Sequence, residues 1–248
     1  MPGYDEVARQ YEALVVPRFA PIAKALLEHI DATAYSEVLE LAAGTGGLTR
    51  QLVEALATGA RLTVTDLSSP MLEVAQESVA ASPGLSFRTA DITELPFADE
   101  TFDLVIALFS PLQERDDALS EAHRVLRRGG TLAVGTWGES YQEADILRGV
   151  RAKVGIPEPP WAGPTAAERR ISAVGFRDVQ RVDLETQCEH TGLEAYLSYR
   201  RAFGAYTGLS PDQLTRFWLA LEEAACGLRR QDGSVPLGWA ISFLTARR

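Results

Sequence analysis

Two cysteines in 248 residues, Cys188 and Cys226, stand too far apart for a CxxC motif, so neither a disulfide framework nor a zinc site is expected. Three histidines, His29, His123 and His190, leave a histidine-rich metal centre without support, and no metal is expected. Basic residues are also scarce, with 24 Lys and Arg against 34 Asp and Glu and a net charge of −10. Nucleic-acid binding rests on neutralised phosphates, so this balance argues against that class of partner. No stretch is apolar for long enough to span a bilayer. The start, "MPGYDEVARQYEALVVPRF", has acids before its first basic residue and no apolar run, unlike a signal peptide. The expectation is a soluble, cytoplasmic protein that binds neither membrane nor nucleic acid, with its oligomeric state open.

What the chain does have is a globular composition, 46% hydrophobic and 23% charged, enough to bury the core of one domain. Residues 38–137 alternate strand and helix patterns. "VLEL" is a short apolar run, and "LTRQLVEALA" has helical spacing up to Gly59. "RLTVTD", "LSFRTAD", "FDLVIALF" and "TLAVGTW" read as further strands. Between them lie "MLEVAQESVA", opened by Ser69 as N-cap and Pro70, and "DDALSEAHRVL", ending at "RRGG". Strands apolar on both faces and alternating with helices imply a parallel sheet covered on both sides.

The flanks differ. Residues 4–30 read as two helices broken near Pro17. After Trp137 come the proline-rich "GIPEPPWAGP" and a helix through "AAERRISAVGF". "RDVQRVDLETQ" and "GWAISFLTARR" alternate polar and apolar positions like half-exposed antiparallel strands. Between them lie a helix with Tyr196, Tyr199, Phe203 and Tyr206 in a stripe, and another opened by the capping box Ser210-x-x-Gln213 with Pro211 at its first position. The expected organisation is one domain over 1–248: N-terminal helices 1–36, a cofactor-binding core 37–140, and C-terminal strands with inserted cap helices over 141–248.

In an open parallel sheet, ligands bind beyond the carboxyl ends of the strands, where strand order reverses. The glycine bend "ELAAGTGG" and Asp66, the strand-end acid that follows it, suit an adenosine-containing cofactor, with Asp66 on the ribose hydroxyls. Glu40 discriminates between cofactors. It stands in an apolar strand two residues before the bend. A pyrophosphate about 6 Å away would repel it by roughly 3 kcal/mol at an effective dielectric of 20. A sulfonium or ammonium group would be attracted. The bend also lacks the third glycine of GxGxxG, carrying Thr49 there. S-adenosyl-L-methionine is therefore favoured over NAD.

On these residues the segment 38–137 resembles the Rossmann-like, class I S-adenosylmethionine-dependent methyltransferases. The acidic-x-Gly-x-Gly-x-Gly motif of that family is matched by Glu40-Leu-Ala42-Ala-Gly44-Thr-Gly46, with Ala42 in place of the first glycine. "VTDLSSPMLEVA", "TADITELPFADETFD", "LVIALFSPLQE" and "HRVLRRGGTLAV" match the later segments in order. The resemblance implies a mostly parallel seven-stranded sheet with helices on both faces, an antiparallel last strand and an added helical cap. It implies that Glu40, Ala42, Gly44 and Gly46 face the methionyl and sugar parts of the cofactor and that Asp66 holds the ribose. Met71 then packs near sugar and base, Asp91 accepts from the adenine amino group, Ile92 lies against the ring, and Phe109 and Ser110 border the methionyl end.

The acceptor side has to come from the cap. Trp137, directly after the fifth strand, with Trp161, Tyr11, Tyr199 and Phe203, suggests a small apolar or aromatic methyl acceptor. Methyl transfer needs positioning more than a dedicated catalytic group. His190, Tyr11 and Tyr199 are candidate bases, none singled out, and His123 reads as structural. Two other classes stay open: a protein of the same fold using the pocket for non-methylating chemistry or as a binding module, and, disfavoured by Glu40, an NAD-dependent oxidoreductase.

Overall fold

The structure, a computed structural model, describes residues 7–158, 163–203 and 209–248; Trp161 and Tyr206 lie outside the described residues. Its strands are β1 (Glu37–Glu40), β2 (Arg61–Asp66), β3 (Leu85–Thr89), β4 (Phe102–Leu108), β5 (Leu126–Trp137), β6 (Arg177–His190) and β7 (Val235–Arg247). They form one sheet in the order β3-β2-β1-β4-β5-β7-β6. β1 pairs in parallel with β2 and β4, β2 with β3, and β4 with β5; β7 runs antiparallel to both β5 and β6. This is the Rossmann-like sheet expected from the sequence, and its order reverses between β1 and β4.

The helices are α1 (Ala8–Leu14), α2 (Val16–Ile30), α3 (Gly47–Ala55), α4 (Ser69–Ser78), α5 (Asp116–Val125), α6 (Gln142–Val154), α7 (Gly163–Val174), α8 (Leu193–Ala202) and α9 (Pro211–Cys226). Alternate residues of the central strands enter two cores. Val38, Leu104, Ile106 and Ala133 meet α2, α3, α6, α8 and α9 on one face. Leu39, Val105, Leu132 and Val134 meet α5 and α7 on the other. In α2, Phe19, Ile22, Ala23, Leu26 and Leu27 form the buried stripe that three-and-four spacing produces. No helix among the described residues is long and apolar enough to cross a membrane.

Local details depart from the sequence reading for physical reasons. The α1–α2 break falls at Val15, because Pro17 sits in the first turn of α2, where its missing N–H is not needed. Ser68, not Ser69, caps α4, its Oγ accepting from Met71 N at 3.3 Å. "RRGG" is a register shift inside β5 rather than a separate turn: Leu126 pairs with Phe102, and pairing resumes at Thr131 with Leu104. The helix α6 is not among those expected. The capping box of α9 is present in both directions, at 2.9 and 3.2 Å.

One feature of the sheet shapes the site. β7 pairs with β5 only up to Ile241, opposite Trp137, whereas Val235–Ala240 pairs with Glu185–His190 of β6 alone. This two-stranded ribbon therefore extends past the carboxyl end of β5. α8 packs on β6 and α6 on β7.

Candidate active site

The strands flanking the reversal, β1 and β4, are each followed by a non-glycine residue in the left-handed region, Ala42 and Phe109, both with φ 53°. Left-handed backbone costs an L-residue roughly 1–2 kcal/mol, and strain of this kind concentrates at functional sites. Gly44 (φ 58°) and Gly46 (φ 86°) complete the bend. At Gly46 a Cβ would come within 3.1 Å of Ala75 Cβ, so glycine there lets the bend pack on α4.

Glu40 is 1% exposed. One oxygen accepts from Thr49 Oγ1 at 2.7 Å, and the backbone carbonyl accepts from Thr65 Oγ1 at 2.9 Å. Arg50, the nearby cation, pairs instead with Glu12 at 3.0 Å. Burial, reinforced by the negative charge of Asp66, pushes the Glu40 carboxyl up to about 8. A buried acid with a hydroxyl and no ion-pair partner among the described residues is a site that a cation would stabilise. A sulfonium or ammonium group fits it, and a phosphate does not.

Asp66, half-buried, turns its carboxylate onto the bend: Oδ2 accepts from Gly44 N and Oδ1 from Ser68 N, both at 2.8 Å. Burial raises its pKa, against the lowering effect of those N–H donors. Asp91, at the end of β3, is exposed, and a single oxygen takes both the Thr93 N–H (2.9 Å) and hydroxyl (2.8 Å). These bonds hold its pKa below the ordinary value. Ile92, partly buried, packs against the core cluster that includes Leu39 and Leu41. Met71 is buried in a small cluster with Ala8, Val74 and Tyr11. Ser110 is buried, its Oγ accepting from Leu112 N at 3.3 Å.

Aromatic rings cover this ground. Tyr11 of α1 lies 3.9 Å from where a Cβ on Gly44 would stand. Phe19, a residue sequence reading did not single out, is the hub. Its ring is 4.5 Å from Phe109, 5.7 Å from Trp239, 5.9 Å from Phe203 and 6.0 Å from Trp137. Trp137 stacks on Tyr141 at 4.6 Å. Of the acceptor-side candidates, Phe203 and Trp137 join this group directly, while Tyr11 and Tyr199 join through Phe203 at 6.1 and 5.3 Å. Tyr199 itself is fully buried. The only sequence signal for Phe19 was its place in the α2 stripe, which reads as ordinary core. A cleft of ≈ 320 Å³ lined by Tyr141, Glu185, Gln187, Gly238 and Trp239 lies along the β6–β7 ribbon and touches none of Glu40, Gly44, Asp66 or Asp91.

The candidate bases differ in what they can do. His190 ends β6 fully buried, and burial with two nearby guanidinium groups pushes its pKa down to about 3. Burial raises the Tyr199 phenol well above its ordinary value. His123, in the last turn of α5, packs edge-on against Phe176 at 4.9 Å. Among the described residues no group of three or more His, Cys, Asp or Glu is placed to hold a metal ion.

The family described as a methyltransferase domain matches residues 38–130. The chain is 32% identical over 204 residues to the demethylmenaquinone methyltransferase of Thermobifida fusca, covering 71% of this chain and 85% of that one. It is 33% identical over 154 residues to the malonyl-[acyl-carrier protein] O-methyltransferase of Methylococcus capsulatus, covering 61% of this chain and only 55% of that relative's length. A phosphoethanolamine N-methyltransferase 2 of Haemonchus contortus, solved with phosphomonomethylethanolamine and S-adenosylhomocysteine, superposes with a TM-score of 0.59 at 17% identity, over 98% of this chain and 57% of that one. At that identity the likeness is one of fold.

Proposed function

The chain belongs to the class I S-adenosylmethionine-dependent methyltransferases, and from that membership we propose that it methylates a small apolar or aromatic metabolite. The observation carrying this reading is the ring cluster over the glycine bend, centred on Phe19 and reaching Phe109 on one side and Phe203 on the other. A flat apolar acceptor exchanging places with one of these rings keeps the stacking contacts and excludes water. The demethylmenaquinone in the name of the Thermobifida fusca relative, an apolar ring compound, supports the same class.

S-adenosylmethionine, when bound, supplies an electrophilic methyl group on a sulfonium. In this reading Glu40 offers its carboxylate to the cationic end, and the backbone of Gly44 and Gly46 allows close approach at the bend. Asp66 accepts from the ribose hydroxyls while bracing the bend through Gly44 N–H. Asp91 keeps one oxygen clear of Thr93 for the adenine amino group, with Ile92 and Met71 on the apolar faces. Ala42, Phe109 and Ser110 shape the methionyl end. Phe109, Trp137, Tyr11, Phe203 and Tyr199 hold the acceptor. Alignment in a dry site, worth an effective molarity of ~10⁵ M or more, is then the chief catalytic device. No side chain is assigned as base. The division into helices 1–36, core 37–140 and capped strands 141–248 follows the same assignment. A cytoplasmic location, without nucleic-acid or membrane partners, suits the acidic composition and the unpaired Cys188 and Cys226.

The test is S-adenosylhomocysteine release by the purified protein across a panel of aromatic acceptors, beside melting curves. S-adenosylhomocysteine at one hundred times its Kd should stabilise the protein by ~2.7 kcal/mol, and NAD should not. Cofactor binding without turnover on any acceptor would move the protein to the non-methylating reading.

A further inference from the structure

A second set of polar groups lies in the cap, apart from the glycine bend. The His190 ring is 4.9 Å from Tyr199, and its Nε2 is 3.5 Å from Cys188 Sγ. The guanidinium of Arg18, from α2, stands 5.1 Å over the Tyr199 ring and also hydrogen-bonds the Cys188 sulfur. Burial pushes the Cys188 thiol up to about 12, so thiol and imidazole are both neutral and do not form a nucleophilic ion pair.

The hydrogen bonding of this set is incomplete. Arg18 Nε, His190 Nδ1 and the Tyr199 hydroxyl are buried and meet no partner among the described residues. Arg18 gives Nη1 to the Leu14 carbonyl but pairs with no carboxylate among the described residues. The buried acid of the cap, Glu143, is already taken by Arg200 Nη1 at 3.3 Å and Trp239 Nε1 at 2.9 Å. Buried donors without acceptors are costly, and a guanidinium without a counter-charge more so. Together they are complementary to a negatively charged oxygen.

Their place in the cap gives that oxygen an owner. From Tyr199 the rings run through Phe203 (5.3 Å) and Phe19 (5.9 Å) to Phe109 (4.5 Å), at the end of β4. We propose that Arg18, His190 and Tyr199 recognise an anionic oxygen, of a carboxylate or an ionised phenol, carried by the aromatic acceptor. The inference rests on the methyltransferase reading above. In it the Cys188 S–H donates to His190 Nε2, which leaves the imidazole proton on Nδ1, facing the ligand. Arg18 supplies the charge, and Tyr199 and His190 supply neutral donors. The acceptor's ring takes up contacts now made between Phe19 and Phe203, so its far edge points to the methionyl end.

The test uses the full chain saturated with S-adenosylhomocysteine and titrated calorimetrically with 1-naphthoate, the neutral 1-naphthamide, and 1-naphthol below and above its pKa. Naphthoate should bind at least tenfold more tightly than the amide. Naphthol gaining affinity only when ionised would assign the site to phenolates as well as carboxylates. Arg18→Gln and Tyr199→Phe should each cost tenfold or more in naphthoate affinity, a larger loss than either causes for the amide, with S-adenosylhomocysteine affinity unchanged. Equal binding of acid and amide, no binding of naphthoate, or variants that leave the contrast intact would overturn the proposal. Should Arg18→Gln fail to fold, Tyr199→Phe, which keeps the ring, decides. A protein that does not bind S-adenosylhomocysteine refutes the methyltransferase reading instead, and the acid-against-amide contrast is measured equally without that ligand.

Discussion

The ring of Phe19 packs 4.5 Å from the ring of Phe109, joining the second helix to a residue that the end of β4 holds in the left-handed region. An N-terminal element and the strand-order reversal thus share one wall. Phe19→Leu should cost about 1 kcal/mol in denaturant unfolding, the usual scale for trimming a buried apolar side chain with little loss of volume. Its larger effect should fall on the acceptor, as a changed KM, with cofactor Kd altered less than twofold. Equal losses in both ligands would make Phe19 general packing.

Glu40 should couple cofactor binding to a proton. Its carboxyl, at about 8 in this structure, is mostly protonated at neutral pH and ionises when a cation binds beside it. Binding then releases a proton, and affinity for S-adenosylmethionine should rise with pH, by at most tenfold per unit, and level off above about 8. Calorimetry in two buffers of different ionisation heat measures the release. Glu40→Gln should abolish both the release and the slope.

The same group sets a stability trend in the unliganded protein. Its folded pKa lies above the ordinary 4.5, so its contribution is fully present below that value and is lost as pH rises through about 8. The span is on the order of 5 kcal/mol. Wild type minus Glu40→Gln, followed by denaturant unfolding from pH 5 to 9, should show this fall. A flat difference would contradict the buried, unpaired state of Glu40.

Asp66→Ala should weaken cofactor binding at least roughly tenfold through lost charge-assisted hydrogen bonds. It should also lower stability by about 1–3 kcal/mol, because Gly44 N–H and Ser68 N–H lose their acceptor. Unchanged affinity with lowered stability would leave Asp66 as a brace for the bend alone.

Ala42→Gly should be close to neutral, within about 1 kcal/mol. Relief of left-handed strain at φ 53° opposes the greater chain entropy of glycine. A loss of several kcal/mol would show that the Ala42 methyl makes contacts that outweigh its strain.

The parts of this fold that depend on neighbours in sequence were legible without a structure. The strand, bend and acid from Val38 to Asp66 follow from apolar runs punctuated by glycine, and Glu40 stood out because a carboxylate there needs a reason. The parts set by distant partners were not. Phe19 looks like any other stripe residue until β4, some ninety positions on, comes to lie beside it. Glu143 gives no sign of burial until Arg200 and Trp239 close on it. Nothing in the alternation of β6 and β7 says that the last strand inserts between the fifth and the sixth. The capping serine of α4 was missed by one place because Ser68 and Ser69 are chemically alike and only backbone geometry separates them.

That insertion also orders the events of synthesis. β3, β2, β1, β4 and β5 find all their mutual pairings within residues 37–137, so this half of the sheet can assemble while the rest of the chain is still being made. β6 cannot join it. Its pairing is with β7, which follows forty-four residues after β6 ends. Until Val235–Arg247 emerges, the outer edge of β5 stays open and β6 is an unpaired fourteen-residue strand. The ribbon that carries His190 and Trp239 is therefore the last element to form, and this period of synthesis is the one in which an aggregation-prone edge is exposed.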